Sequence, residues 1–92
     1  MECEWDPAKA ASNFRKHGVP FEEAETVFDD PRVIVRYDER HSDREDRWAV
    51  IGISNRGRVV IVTYTPRNRK PRLVSARKAT RREVDEYGES DD

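Results

Sequence analysis

Residues 65–87 read TPRNRKPRLVSARKATRREVDEY, and several structural signals overlap in them. Arg72-Leu73-Val74-Ser75-Ala76-Arg77 carries a period-two pattern, which predicts a strand. Thr80, followed three residues later by Glu83, is a capping box that opens a helix. Pro66 to Pro71 reads as the loop leading into the strand. The stretch therefore predicts a basic turn, a strand and a helix start at one edge of a small sheet. It also carries Arg67, Arg69, Lys70, Arg72, Arg77, Lys78, Arg81 and Arg82, with no Asp or Glu between Arg67 and Arg82. The whole chain has a formal charge of −1, so charge is sorted along the sequence. A stretch this cationic lowers the free energy of a phosphate polymer lying close to it.

Upstream, Val59 to Thr65 is the most apolar strand candidate. Its apolar residues fall on both parities, so it is expected at the centre of the sheet with both faces covered. Ser54-Asn55-Arg56-Gly57 predicts a hairpin turn joining it to a strand over Arg47 to Ile53. Val33 to Tyr37 is a further strand, separated from Arg47 by the almost wholly charged connection Asp38 to Asp46, with His41 at its centre. Met1 to Trp5 reads as a short first strand. Asp6-Pro7 starts a helix: Asp6 can cap free amides, and Pro7 at the first helical position loses no hydrogen bond. This helix runs over Ala8 to His17, with Ala10 and Phe14 four apart on one face. Gly18 is placed to stop it in a left-handed conformation. A second helix spans Phe21 to Phe28, with Phe21, Ala24, Val27 and Phe28 on one face and Glu22, Glu23 and Glu25 near its anion-favouring N-terminus. Thr80 to Tyr87 closes the chain, Val84 and Tyr87 being three apart. The expected class is α+β: two N-terminal helices packed on an antiparallel meander, with a short C-terminal helix.

Ninety-two residues suffice for one domain, expected over residues 1–87, with 88–92 as an acidic flexible tail. Apolar residues make up 35% and charged residues 40%, so the core must be small and its stability modest. Cys3 is the lone cysteine, which excludes an internal disulfide. Zinc needs about four ligands, and Cys3, His17 and His41 are too dispersed to supply them. No cofactor or metal is expected. No apolar run is long enough for a membrane span and no signal-peptide core is present, so a cytoplasmic protein is expected.

Arginines able to reach a sheet surface beside a hydroxyl suit phosphate, because the planar guanidinium donates several hydrogen bonds at once. Strict alternation puts Leu73, Ser75 and Arg77 on one face of their strand and Arg72, Val74 and Ala76 on the other. Arg67, just past the adjacent strand, is expected to converge on Ser75 and Arg77. The bland alternative pairs these arginines with acids elsewhere, although eight cations in one stretch repel one another. Metal-free RNA cleavage needs a base for the 2′-hydroxyl, cations for the charged phosphorane and an acid for the leaving oxygen. Arginine fills only the second role. His41 and Glu45 are the candidates for proton transfer; otherwise His41 is an exposed loop histidine and Glu45 a salt-bridge partner of Arg44 or Arg47. His17, in the last turn of its helix, reads as structural. Trp5 and Trp48 read as packing residues. Ser75 shows no partners in sequence for a serine-hydrolase triad.

Several blocks in order resemble the BrnT toxins: Trp5-Asp6-Pro7-Ala8-Lys9, Asn13, Lys16-His17-Gly18-Val19, Phe21-Glu22-Glu23-Ala24, Val27-Phe28 and Asp30-Pro31. The resemblance continues through His41-Ser42, Glu45, Arg47, Thr65-Pro66-Arg67, Arg72 to Thr80, Glu83 and Tyr87, covering roughly residues 4–87. It implies a RelE-like fold and a ribonuclease that blocks translation; with the metal-free route above, the expected activity is a metal-independent endoribonuclease. The resemblance further implies a type II toxin–antitoxin pair, with a BrnA-like antitoxin whose ribbon-helix-helix domain binds operator DNA. Carried over by position, the family's basic sites fall on Arg67, Ser75 and Arg77, with His41 and Arg47 nearby; with Glu45 from the proton-transfer argument, the expected catalytic set is Arg67, Ser75, Arg77, His41 and Glu45. Arg47, Arg69, Lys70, Arg72, Lys78, Arg81 and Arg82 are the expected RNA-binding set. Pro66 stands where many relatives carry Glu. The pI near 6.1 is low for an RNA-binding protein; acidic N-terminal helices would repel RNA from the wrong face. The rival reading is a non-catalytic module whose basic edge holds an acidic protein or a nucleic acid.

Overall fold

A computed structural model describes residues 1–89. In chain order it contains α1 (Pro7–His17), α2 (Phe21–Thr26) running into a 3-10 turn (Val27–Asp29), β1 (Ile34–Tyr37), β2 (Trp48–Ile53), β3 (Val59–Arg67), β4 (Lys70–Lys78) and α3 (Arg81–Glu89). The strands form an antiparallel meander in the order β1-β2-β3-β4. The α+β class and the meander agree with the sequence expectation. α3 extends to Glu89, so Gly88 and Glu89 belong to the helix rather than to the expected tail; residues 90–92 lie outside the described residues.

The helix signals act as predicted. Asp6 accepts a hydrogen bond from the Ala8 N–H at 2.9 Å. Gly18 adopts φ 72°, and its N–H donates to the Phe14 carbonyl. At the other end of the chain Thr80 and Glu83 exchange the two capping-box hydrogen bonds. On α1 the apolar Phe14 is 52% exposed, and Asn13 is the buried residue of the helix. Asn13 donates to the Val19 and Ala76 carbonyls and accepts from the Ala76 N–H. It thus substitutes for a strand partner at the edge of β4 and fixes how α1 is rotated against it.

Two cores form, one on each face of the sheet. Val19, Phe21, Ala24 and Val27 pack on Val50, Val60, Val62, Leu73 and Ala76, with Trp5 meeting Phe21 edge to face. Each of the large buried side chains here contributes about 1.5–3 kcal/mol by leaving water. On the opposite face Tyr87 of α3 packs with Ile51 and Ile61. That face is anchored by Asp30, whose carboxylate accepts from the Tyr87 hydroxyl and from the Ile53 and Arg32 N–H groups. Burial works to raise the Asp30 pKa, but these hydrogen bonds outweigh it and leave it lowered. The acidic start of α2 is not simply solvated, since Glu23 is buried against the Arg58 guanidinium and the Ser54 hydroxyl.

Two expectations about the decisive stretch are corrected. The Pro66–Pro71 loop is strand: Pro66 pairs with Pro71 and Arg67 with Lys70, and a two-residue turn with φ 54° at Asn68 and 67° at Arg69 closes the hairpin. Positive φ at both central residues is the turn whose twist matches antiparallel strands. Pro71 is tolerated because the residue faces the outer edge, where its carbonyl accepts from the Glu4 N–H. Second, Tyr64 pairs with Leu73 but Thr63 pairs with Ser75, leaving Val74 as a bulge. The extra residue reverses the parity of β4. Leu73 and Ala76 both enter the α1/α2 core, whereas Ser75 and Arg77 lie on the α3 face, opposite Thr63 and Ile61. The expected first strand at Met1 to Trp5 is realised as a single parallel bridge between Glu4 and Arg72.

Candidate nucleic-acid interface

α3 covers only one end of its face. The uncovered remainder presents a row set by the pairing register: Arg72 beside Thr65 on β4 and β3, then Thr63 beside Ser75, then Arg77. Alternation on β2 brings Arg47 to the same face as Ala49 and Ile51. Thr65, at the centre of this row, is only 2% exposed, so neighbouring side chains cover it and it supports the surface from beneath. Sequence reasoning selected Ser75 but passed over Thr63 and Thr65; the available signal was their shared parity with Arg67 on an otherwise apolar strand.

The register separates residues that were expected to converge. Arg67 pairs with Lys70 at the hairpin tip, and Arg77 pairs with Ile61 near its base. At about 3.3 Å per residue that places them about 20 Å apart along β3. They cannot grip one phosphate, but they can grip different phosphates of one strand. The other basic residues disperse as well. Arg69 sits at the tip and lines an apolar cavity on the α1/α2 face with Phe28, Val35 and Pro66. Lys70 pairs with Glu2 at 3.0 Å, which raises its pKa. Lys78, Arg81 and Arg82 are exposed at the far end, around the start of α3.

Several of the cations are already neutralised. Arg77 makes a two-pronged pair with Glu83 at 2.8 and 2.9 Å. The Arg77 hydrogen bonds are the main reason that the Glu83 pKa falls to about 2. Arg67 donates to both oxygens of Glu45 at 3.2 and 3.3 Å. Glu45 therefore pairs with Arg67 rather than with Arg44 or Arg47. Arg72 lies 3.9 Å from Glu4, a loose contact that leaves the buried Glu4 Oε1 without a donor. Arg47 forms no ion pair among the described residues, and its Nε is buried without a partner. Its outer nitrogens are the donors on this surface least committed to the protein itself.

The proton-transfer candidates sit at the Arg47 and Arg67 end. Arg40, His41, Asp43, Arg44, Glu45 and Arg47 line one polar cavity of about 330 Å³. The loop that carries them is held at both ends by Ser42: its hydroxyl donates to the Asp38 carbonyl and accepts from the Arg47 N–H. Tyr37 adds a hydrogen bond to Asp46. A 3-10 turn, Glu39–His41, brings His41 Nδ1 to 3.0 Å from Asp38 Oδ2, which leaves Nε2 directed elsewhere. This is the positioning that the charged loop did not advertise in sequence. Cys3 is no rival nucleophile, because burial and then Glu25 push its thiol up to about 12. Among the described residues no three His, Cys, Asp or Glu side chains gather as metal donors, and no helix is long and apolar enough to cross a membrane.

Residues 5–83 match the family model of the ribonuclease toxin BrnT of type II toxin–antitoxin systems. No curated protein sequence matches the chain significantly. Among solved structures, the 1.1 Å crystal structure of the Brucella abortus ribonuclease toxin BrnT superposes with a TM-score of 0.64. That match has 24% sequence identity and covers 88% of this chain and 99% of the other. At that identity the likeness speaks for the fold, while the family match spans most of the chain.

Proposed function

Because this chain belongs to the BrnT family of ribonuclease toxins of type II toxin–antitoxin systems, we propose that it is a metal-independent endoribonuclease with a RelE-like fold. It arrests translation in the cytoplasm by cutting RNA, and a BrnA-like ribbon-helix-helix antitoxin neutralises it; contact with operator DNA runs through that antitoxin. The observation that carries this reading is the open half of the α3 face. There Arg47, which forms no ion pair among the described residues, the half-buried Thr63 and Ser75 flanking a buried Thr65, and further arginines lie beside a cavity that holds His41 and Glu45.

The scissile phosphate sits against Arg47 and Arg72, over Thr65, with Arg67 behind Glu45. Glu45 takes the proton of the 2′-hydroxyl, and the 2′-oxygen attacks phosphorus. Arg47 and Arg72 stabilise the charge that builds on the phosphorane. The bond to the 5′-oxygen breaks, and protonated His41, oriented by Asp38, gives that oxygen its proton. The products are a 2′,3′-cyclic phosphate and a 5′-hydroxyl. Ser75 and Arg77, along the same face, hold a neighbouring phosphate. The remaining basic residues, Arg69, Lys70, Lys78, Arg81 and Arg82, attract the polymer over longer range.

The test is incubation of the purified chain with protein-free RNA in EDTA. Fragments ending in 2′,3′-cyclic phosphate are expected. Cleavage only after a divalent metal is added refutes the metal-free step. Arrested translation without cutting of naked RNA assigns the substrate to the ribosome. The second reading, a non-catalytic binding module, draws on the ion pairs that already occupy Arg67 and Arg77. It predicts salt-dependent RNA binding with no product and no arrest.

A further inference from the structure

α1 is cationic rather than acidic: between Pro7 and Gly18 it carries Lys9, Arg15, Lys16 and His17 and no Asp or Glu. Lys9 and Lys16 are seven residues apart, so they lie on one face, about 10 Å apart along the axis. Neither forms an ion pair among the described residues, in contrast to several cations of β4. Asn13, between them in sequence, is bonded to both backbone groups of Ala76. That clamp turns the Lys9, Ser12 and Lys16 side of the helix toward the Val74 bulge. The result is a cleft of about 250 Å³, lined by Lys9, Ser12, Lys16 and His17 on the helix and by Val74 and Ser75 on β4. Ser75 is therefore shared: it lies beside Thr63 on the α3 face and also forms the rim of this cleft.

We propose that the cleft is a second phosphate-binding subsite, which takes the single-stranded RNA that flanks the cleaved bond. The inference rests on the nuclease reading above. The strand leaves the α3 face at Ser75, crosses the edge of β4 at the bulge and lays one or two phosphates against Lys9, Lys16 and His17. The bulge serves this path: it sets Val74 and Ser75 together at the edge, where an unbroken ladder would have placed Val74 on the other face. The α1 cations then determine how much flanking RNA is needed, while the chemistry stays on the α3 face.

The test compares the parent with a Lys9→Ala/Lys16→Ala protein. Both lysines are exposed and outside any ion pair among the described residues, so the fold is expected to be retained, which circular dichroism and thermal melting check. Binding is measured with short RNAs carrying a single 2′-O-methyl block and with longer ones, over a range of salt concentrations. For the longer RNAs the double variant is expected to lower the slope of log affinity against log salt by about 1.4, since each phosphate of a single strand neutralised by a lysine adds about 0.7. At 0.1 M salt the same relation gives about 25-fold weaker binding. For RNAs too short to reach the cleft no difference is expected, and single-turnover cleavage at saturation stays at the parent rate. Equal affinity and slope for parent and variant on long RNA, with the parent cutting normally, overturn the subsite. Equally weakened binding of short and long RNA overturns it too, since the lysines would then act as general charge. A parent that neither binds nor cuts RNA overturns the nuclease reading itself.

Discussion

Glu83→Gln isolates the contact that ties β4 to α3. Glu83 grips Arg77 with both oxygens and accepts the Thr80 N–H. Glutamine keeps the size and the cap acceptor but removes the charge. The Glu83 pKa stands near 2 instead of 4.5, which at 1.36 kcal/mol per unit sets a ceiling of about 3 kcal/mol. Arg77 is 42% exposed, so solvent screening reduces the expected loss to about 1–2 kcal/mol. For a domain of this size that is a drop in Tm of roughly 4–16 °C at pH 7. Because the folded pKa is depressed, the folded state holds fewer protons than the unfolded state between the two values. The stabilisation is therefore complete above about pH 4.5, declines as the pH falls toward about 2, and is absent below that. Urea unfolding of parent and variant from pH 7 to pH 2.5 reads it directly, as a gap in stability that closes on acidification. Equal stability at pH 7, or a gap that stays constant down to pH 2.5, refutes the reasoning.

Three further substitutions test the frame that holds the site. Gly52→Ala puts a Cβ 2.9 Å from Val27 Cγ1 and 3.1 Å from Asp30 Oδ2, and overpacking there is expected to cost about 1–3 kcal/mol in urea unfolding. Tyr87→Phe removes the hydroxyl that donates to buried Asp30, with an expected loss of about 1–3 kcal/mol and faster amide exchange in α3. Asn13→Ala strips the Ala76 N–H and carbonyl of their side-chain partner. It is expected to cost about 2–4 kcal/mol as these two groups and the Val19 carbonyl lose the Asn13 side chain, and an unchanged Tm would show that α1 does not clamp β4.

The helices and strands were legible because their signals are local. Asp6-Pro7, Gly18 and the Thr80–Glu83 box each report a terminus through a hydrogen bond that spans a few residues. The site was legible only in part. Charge sorting found the arginines of β4, but the Val74 bulge has no sequence mark, so strict alternation assigned Leu73 and Ala76 to opposite faces. The tight turn was hidden because Arg69 takes a positive φ more usual for Gly or Asn. Arg47 stood out only in three dimensions, when other arginines of the surface proved to be paired. The acids that neutralise them, Glu45 and Glu83, lie 22 and 6 residues away, a relation that no spacing rule anticipates. Likewise Ser42 reads in sequence as one polar residue among many, yet it pins the loop that carries His41.

The central claim is that RNA is cut on the open half of the α3 face, around Arg47. Single-turnover cleavage by Arg47→Ala measures it most directly, because removing this side chain breaks no ion pair among the described residues. The account predicts a protein that melts within a few degrees of the parent and cleaves at least about 100-fold more slowly. A folded Arg47→Ala protein that cuts RNA at the parent rate would contradict it.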